Sequence, residues 1–196
     1  MLSRNNLDDI LSALDRQIQV HGGSSISLVV CGGTALFALG LVLRTTKDID
    51  VLGTISEENE KIFVSKIEKF PEFLIEASKT VQQDFGLPDG WLNKGPTSQV
   101  ESGLPQGFEK RLVKKLYGNF LSIYYTSRLD QIFFKLYAAV ARDDYHVQDL
   151  FQLNPSEEEI KSATKWVLSQ DVSIGFKSMM KEFLRKQGYE TIIEKI

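Results

Sequence analysis

The stretch Val30-Cys31-Gly32-Gly33-Thr34-Ala35-Leu36, answered by Lys47-Asp48-Ile49-Asp50-Val51, decides how this chain folds. Upstream of the glycines, Ile26 to Cys31 is apolar and rich in β-branched residues, the composition of a buried strand. The glycine pair closes that strand, and Thr34 to Leu41 supplies a short alanine- and leucine-rich helix. After the polar connection Arg44-Thr45-Thr46-Lys47, a second strand runs from Ile49 to Leu52. Alternation along a strand sends Asp48 and Asp50 to one face while Ile49 and Val51 enter the core. Two carboxylates in one small volume repel each other unless a cation sits between them, and a hard, oxygen-seeking divalent ion such as Mg²⁺ suits that arrangement. Gly32 and Gly33 are bare of side chains at the start of a helix, where backbone N–H groups can approach a phosphate and the helix dipole favours it. A phosphate cradle and a pair of metal carboxylates would then face each other.

Working outward, Leu7, Ile10, Leu11, Leu14 and Ile18 recur at helical spacing after Asn6, a suitable N-cap, so an amphipathic helix precedes the first strand. Ser56 followed by Glu57, Glu58 and Glu60 predicts another helix, with Ile62, Phe63, Ile67 and Phe70 as its apolar stripe. From Gly86 to Gly107, glycines, prolines and polar residues predict a long irregular connection and make it the candidate lid. Leu112 to Tyr117 and Phe120 to Tyr125 predict a hairpin turning at Gly118-Asn119. Beyond it the periodicity is helical, through Leu129 to Val140, a segment capped by Ser156, and the Phe176 to Phe183 region. The expected fold is α/β (α+β): a mixed β-sheet flanked by helices over residues 1–126, with a helical C-terminal region, 127–196, packed on that core.

The 196 residues carry 23 Lys plus Arg against 26 Asp plus Glu, and this net charge of −3 argues against a chain coated for DNA or other long nucleic acid. With 42% hydrophobic and 25% charged residues, wholesale disorder is excluded. A single cysteine, Cys31, rules out an internal disulfide framework and a multi-thiolate metal site. Met1 to Asn6 lacks the apolar core of a secretory signal, so the expectation is a cytoplasmic protein. The uncharged run Ile26 to Leu43 is long enough for a membrane span, but Gly32-Gly33 and Gly40 divide it, and no membrane association is expected.

An apolar residue, Gly32-Gly33, a helix and then Asp48-Ile49-Asp50 together resemble the signature of the DNA polymerase β-like nucleotidyltransferase superfamily. Gly32-Gly33-Thr34-Ala35-Leu36 with Arg44-Thr45-Thr46-Lys47-Asp48-Ile49-Asp50 is similar to the bacterial minimal nucleotidyltransferases that include toxins of abortive-infection toxin–antitoxin pairs. Lys135 and Asp149 resemble that group's third and fourth motifs, and Trp91-Leu92-Asn93 is similar to an uncharacterised branch of it. The resemblance implies a nucleotidyltransferase-like fold and transfer of a nucleoside monophosphate from a nucleoside triphosphate to a hydroxyl of RNA (tRNA), protein or a small molecule. It implies Mg²⁺ or Mn²⁺ on Asp48 and Asp50, phosphate binding by Gly32, Gly33, Thr34, Arg44 and Lys47, catalytic roles for Asp48, Asp50, Lys135 and Asp149, and a cognate antitoxin as partner. Polymerase-like members place a third metal carboxylate on a later strand, whereas the segment Leu112 to Tyr125 contains no acid. The toxin-like division of labour, with Lys135 and Asp149 completing the site, therefore fits better. The alternative is a catalytically impaired relative that binds nucleotide or a partner protein.

Each signal alone has a plainer meaning. Lys135, in Phe134-Lys135-Leu136, also reads as a lysine whose stem covers core, and Asp149 as a helix-surface acid. Arg44 also reads as an ion-pair partner of Asp48 or Asp50, and Trp91 and Trp166 as core anchors. Lys110, Arg111, Lys114 and Lys115 form a compact basic group, a solvated face by default and an RNA contact strip as the alternative.

Overall fold

The computed structural model describes Leu2 and residues 6–42, 45–59, 61–142 and 145–196. The chain divides into two compact units, Met1–Ser127 and Arg128–Ile196. Among the described residues, no helix is long and apolar enough to cross a membrane.

In the first unit the β-branched runs become strands of one mixed sheet. In chain order the unit contains α1 (Leu7–Val20), β1 (Ile26–Cys31), α2 (Gly32–Ala38), β2 (Ile49–Glu58), β3 (Lys61–Ser65), α3 (Glu72–Phe85), β4 (Leu92–Asn93), α4 (Ser98–Ser102), β5 (Val113–Leu116) and β6 (Leu121–Tyr125). The sheet runs β3-β2-β1-β6-β5, with β4 also pairing β2. β1 is parallel to β6 and β2 to β4, and the remaining pairs are antiparallel. Leu28, Val29, Val30, Ile49, Val51 and Ile123 are fully buried on these strands, and Ile10, Leu14 and Ile18 bring the apolar face of α1 into the same core. A mixed sheet flanked by helices, followed by a helical C-terminal part, is what the sequence predicts.

Three local expectations are corrected. The segment expected as a helix from Ser56 is the second half of β2 and β3, paired from Thr54↔Ser65 to Glu58↔Lys61. Side chains from Lys61 to Ser65 alternate exposed and half-buried, a period of two that the acidic run Glu57-Glu58 disguised as a helix start. Asn59 takes a positive φ of 50° in the connection, a conformation asparagine tolerates. The 86–107 connection is not wholly irregular: it contributes β4, a 3₁₀ turn at Gly95–Thr97 and α4. Trp91 anchors it, 1% exposed, with Nε1 donating to Ser78 O at 3.1 Å. Thr97 anchors it again, its buried hydroxyl accepting from Ile67 N at 2.9 Å. The hairpin β5–β6 is joined by four residues, 117–120, closed by Tyr117 N donating to Leu121 O at 3.0 Å. Asp15 of α1 replaces a tight two-residue turn: its carboxylate accepts from Phe120 N and Leu121 N, both at 2.7 Å, and lies against Gly118, where a side chain would collide with it. A long-range helix residue holding this turn leaves no local mark on the sequence.

The second unit is helical: α5 (Arg128–Arg142), α6 (Tyr145–Gln152), α7 (Glu157–Gln170), α8 (Ile174–Lys186) and α9 (Glu190–Ile193). Ser156 begins α7 with a full capping box, its side chain accepting from Glu159 N while Glu159 reaches back to Ser156 N. Arg128 ties α5 to the same helix start by a fork on Glu159 and by donating to Leu153 O and Asn154 O. The guanidinium holds Glu159 below the usual carboxylate range. Trp166, half-buried, packs between Phe133 and Phe134, 5.7 Å from each ring.

Candidate active site

The β1–turn–α2–β2 unit forms as the glycine pair requires. β1 ends at Cys31 in extended backbone, and Gly32 turns the chain into α2 with φ +68°, a conformation that strains any residue bearing a Cβ. The first N–H groups of α2 have no partner within the helix, the ordinary consequence of a helix start. Register across β1 and β2 sets Cys31 opposite Asp50 after an irregularity at Val29/Val30. The carboxylate of Asp50 consequently lies against Gly32, with Oδ2 2.6 Å from the point where a Cβ on that glycine would stand.

Asp48 immediately precedes β2, and the alternation holds through it. Ile49 and Val51 are fully buried, while Asp48 and Asp50 are half-buried. Asp48 is held from two sides. Thr34, 1% exposed in α2, donates its hydroxyl proton to Asp48 O at 2.6 Å, and Thr46 donates to Asp48 Oδ1 at 3.2 Å. Thr46 is itself pinned by a backbone bridge with buried Leu2. Thr34, expected as a phosphate contact, thus spends its hydroxyl proton on the backbone that carries the acid pair. Lys47 is exposed beside it. Arg44, also expected at the phosphates, lies outside the described residues.

Lys135 and Asp149 belong to the second unit, where Lys135 Nζ and Asp149 Oδ2 form a 2.6 Å ion pair with side chains 7% and 2% exposed. Burial on this scale is more than a snorkelling lysine or a surface acid would show, and removing one partner would strand a charge.

Among the described residues no group of three His, Cys, Asp or Glu is gathered that could hold a metal ion. Asp48 and Asp50 are the oxygen donors at this place, and Mg²⁺ is often held by one or two carboxylates with water and substrate phosphate completing the shell. The basic group proposed as an RNA strip is partly neutralised. Lys114 pairs with Glu57 at 3.2 Å and Lys115 with Asp8 at 2.7 Å, each also lying 5.2 Å from a tyrosine ring, and Arg111 donates to Gln106 O. Tyr124 and Lys114 hold Glu57 below the usual carboxylate range.

The sequence alone does not mark Asn93 as a site residue. β4 pairs with β2 in parallel, so that Asp50 stands directly beside Asn93. The signal was present only as Trp91-Leu92-Asn93, in a segment whose composition reads as loop.

A family model described as "Nucleotidyltransferase of unknown function (DUF6036)" matches residues 9–153. That span includes the acid pair, Asn93, Lys135 and Asp149. No curated protein and no solved structure matches the chain.

Proposed function

The chain belongs to this nucleotidyltransferase family, and from that membership we propose that it moves a nucleoside monophosphate from a nucleoside triphosphate to an acceptor hydroxyl, with pyrophosphate leaving. The observation that carries this reading is the seating of the Asp50 carboxylate against Gly32 at the start of α2. It puts the negative charge of an acid pair beside the backbone groups suited to phosphate, an arrangement that repels a triphosphate unless a cation is recruited with it.

The donor set fits a hard divalent ion: Asp48 and Asp50 supply carboxylate oxygens, and the missing Cβ at Gly32 makes room for the Asp50 carboxylate. Mg²⁺ or Mn²⁺ held there would neutralise the triphosphate and stabilise charge on the attacking and leaving oxygens. This chain's own share is positioning. Gly32 and Gly33 admit the β- and γ-phosphates to the helix start, Thr34 and Thr46 fix Asp48, and Lys47 offers a cation at the rim. In the toxin-like version of this reading the acceptor is RNA, transfer arrests growth, and a cognate antitoxin relieves the arrest.

The test is transfer of label from each α-³²P nucleoside triphosphate, with Mg²⁺, into total RNA, total protein and small acceptors, comparing wild type with Asp50→Asn. Label that needs one nucleotide and disappears in the variant supports transfer and names donor and acceptor class together. Triphosphate binding without label in any fraction would replace this reading with a catalytically impaired nucleotide-binding protein. Growth arrest on expression that survives Asp50→Asn would remove the toxin version.

A further inference from the structure

Beside the acid pair stands a residue whose chemistry is restricted by its own hydrogen bond. β4 is two residues long, and its pairing sets Leu92 beside Ile49 and Asn93 beside Asp50. Paired residues of parallel strands point to the same face. Burial agrees: Ile49 and Leu92 are 0% and 9% exposed, whereas Asp50 and Asn93 are both half-buried. Asn93 is therefore on the same face of the sheet as Asp50, one strand spacing away, roughly 5 Å between backbones.

The amide of Asn93 is oriented. Gly95 N lies 2.9 Å from Asn93 Oδ1. A backbone N–H can only donate, so the oxygen must face it, and both Nδ2 protons are left to offer. The segment that carries it is clamped on both sides. Ile49 N donates to Trp91 O at 2.5 Å, Trp91 is anchored on Ser78, and Thr97 accepts from Ile67 N. A strand of two residues adds little to the sheet, yet three long-range anchors fix where it sits. The consequence of that fixing is an oriented amide with both donor protons to offer on the acid-pair face.

We infer that Asn93 is a substrate-contacting residue, donating through Nδ2 to a non-bridging oxygen of the nucleotide's triphosphate. This rests on the nucleotidyltransferase reading of the same site. An acid pair can accept but not donate, and phosphate oxygens are acceptors, so a neutral donor beside Asp50 supplies what the carboxylates lack without competing for the cation. Asn93 contacts substrate in this proposal, and its oxygen serves only to aim its nitrogen.

Two variants separate this from a merely structural turn. Asn93→Asp keeps the oxygen that accepts from Gly95 N and removes the donor, while Asn93→Ala removes both. With Mg²⁺ present, binding of the non-hydrolysable α,β-methylene triphosphates of the four nucleosides is measured by calorimetry, alongside the matched nucleosides without phosphates. Both variants are expected to bind the triphosphate about ten-fold more weakly or worse, Asn93→Ala by loss of one hydrogen bond to a charged group and Asn93→Asp further because it adds a carboxylate to the acid pair, with nucleoside binding by either unchanged. Asn93→Asp binding the triphosphate as wild type does would overturn the inference, as would an equal loss for the bare nucleoside. Failure of the transferase reading looks different: wild type would bind the triphosphate, the Asn93 variants would not, and no label would be transferred by any of them.

Discussion

Asp50 Oδ2 occupies the space in which a side chain at Gly32 would begin, 2.6 Å from an ideal Cβ position, and Gly32 holds φ +68°. Gly32→Ala therefore meets two separate penalties. The left-handed backbone costs about 1–2 kcal/mol for a residue with a Cβ. The steric clash is relieved by moving the carboxylate, since the end of an aspartate side chain yields more easily than backbone. The variant is expected to fold, with its urea midpoint lowered accordingly, and to lose about 100-fold or more in label transfer, because a displacement near 1 Å in a phosphoryl-transfer site has that effect. A folded Gly32→Ala with wild-type transfer would show that Asp50 need not stay where it lies.

The parts of this site that were legible in the sequence are those built by neighbours along the chain. Gly32-Gly33 and the parity of Asp48 and Asp50 encode a turn and a shared face within a few residues, and the structure repeats both. What escaped is held by partners far away. β3 was hidden because its outward face and the acids of β2 imitate an amphipathic helix start, and only pairing with residues 54–58 settles the period. β4 owes its place to Trp91, Ser78 and Ile67 rather than to its own propensity, so Asn93 reads as loop until the register is known. For Thr34 the family resemblance implies a phosphate contact, and its burial and its bond to Asp48 O become visible only in three dimensions.

That bond makes a prediction about Thr34. Valine has nearly the same shape and cannot donate, so Thr34→Val leaves Asp48 O without its 2.6 Å partner in a part-buried place. A cost of about 1–2 kcal/mol is expected, with Thr34→Ser keeping most of the stability. Because Asp48 is the atom's owner, transfer should fall in the valine variant and recover in the serine variant. Equal urea midpoints for wild type and Thr34→Val would refute the tether.

Lys135 and Asp149 allow structure and chemistry to be separated. Each is buried against the other, so Lys135→Met alone strands a carboxylate and is expected to cost about 3–5 kcal/mol. The double variant Lys135→Met, Asp149→Leu removes both charges and should regain most of that loss. Measured on the double variant, transfer then reports on chemistry rather than folding. Its disappearance in a stable protein assigns the pair to catalysis, whereas wild-type transfer would make the pair an internal brace of the second unit.

Tyr117 and Tyr125 share a 2.6 Å hydrogen bond between their hydroxyls, and Tyr117 also donates to Asp8 at 3.2 Å. Burial, first of all, pushes both phenols above their ordinary value, and the negative charge of Asp8 adds to the shift. The folded chain therefore keeps protons that the unfolded chain releases above about pH 10. Stability from this pair is fully present below that pH and is lost as the pH rises towards the folded values. For Tyr125, 2% exposed, the slope reaches at most about 1.4 kcal/mol per pH unit. Urea unfolding at pH 8, 10 and 11 should show a steeper decline for wild type than for Tyr125→Phe, which has no phenol proton to lose at that position. Lysine deprotonation weakens both proteins alike, so the difference between the slopes isolates the tyrosine, and parallel slopes would mean that Tyr125 ionises as easily in the folded chain as in the unfolded one.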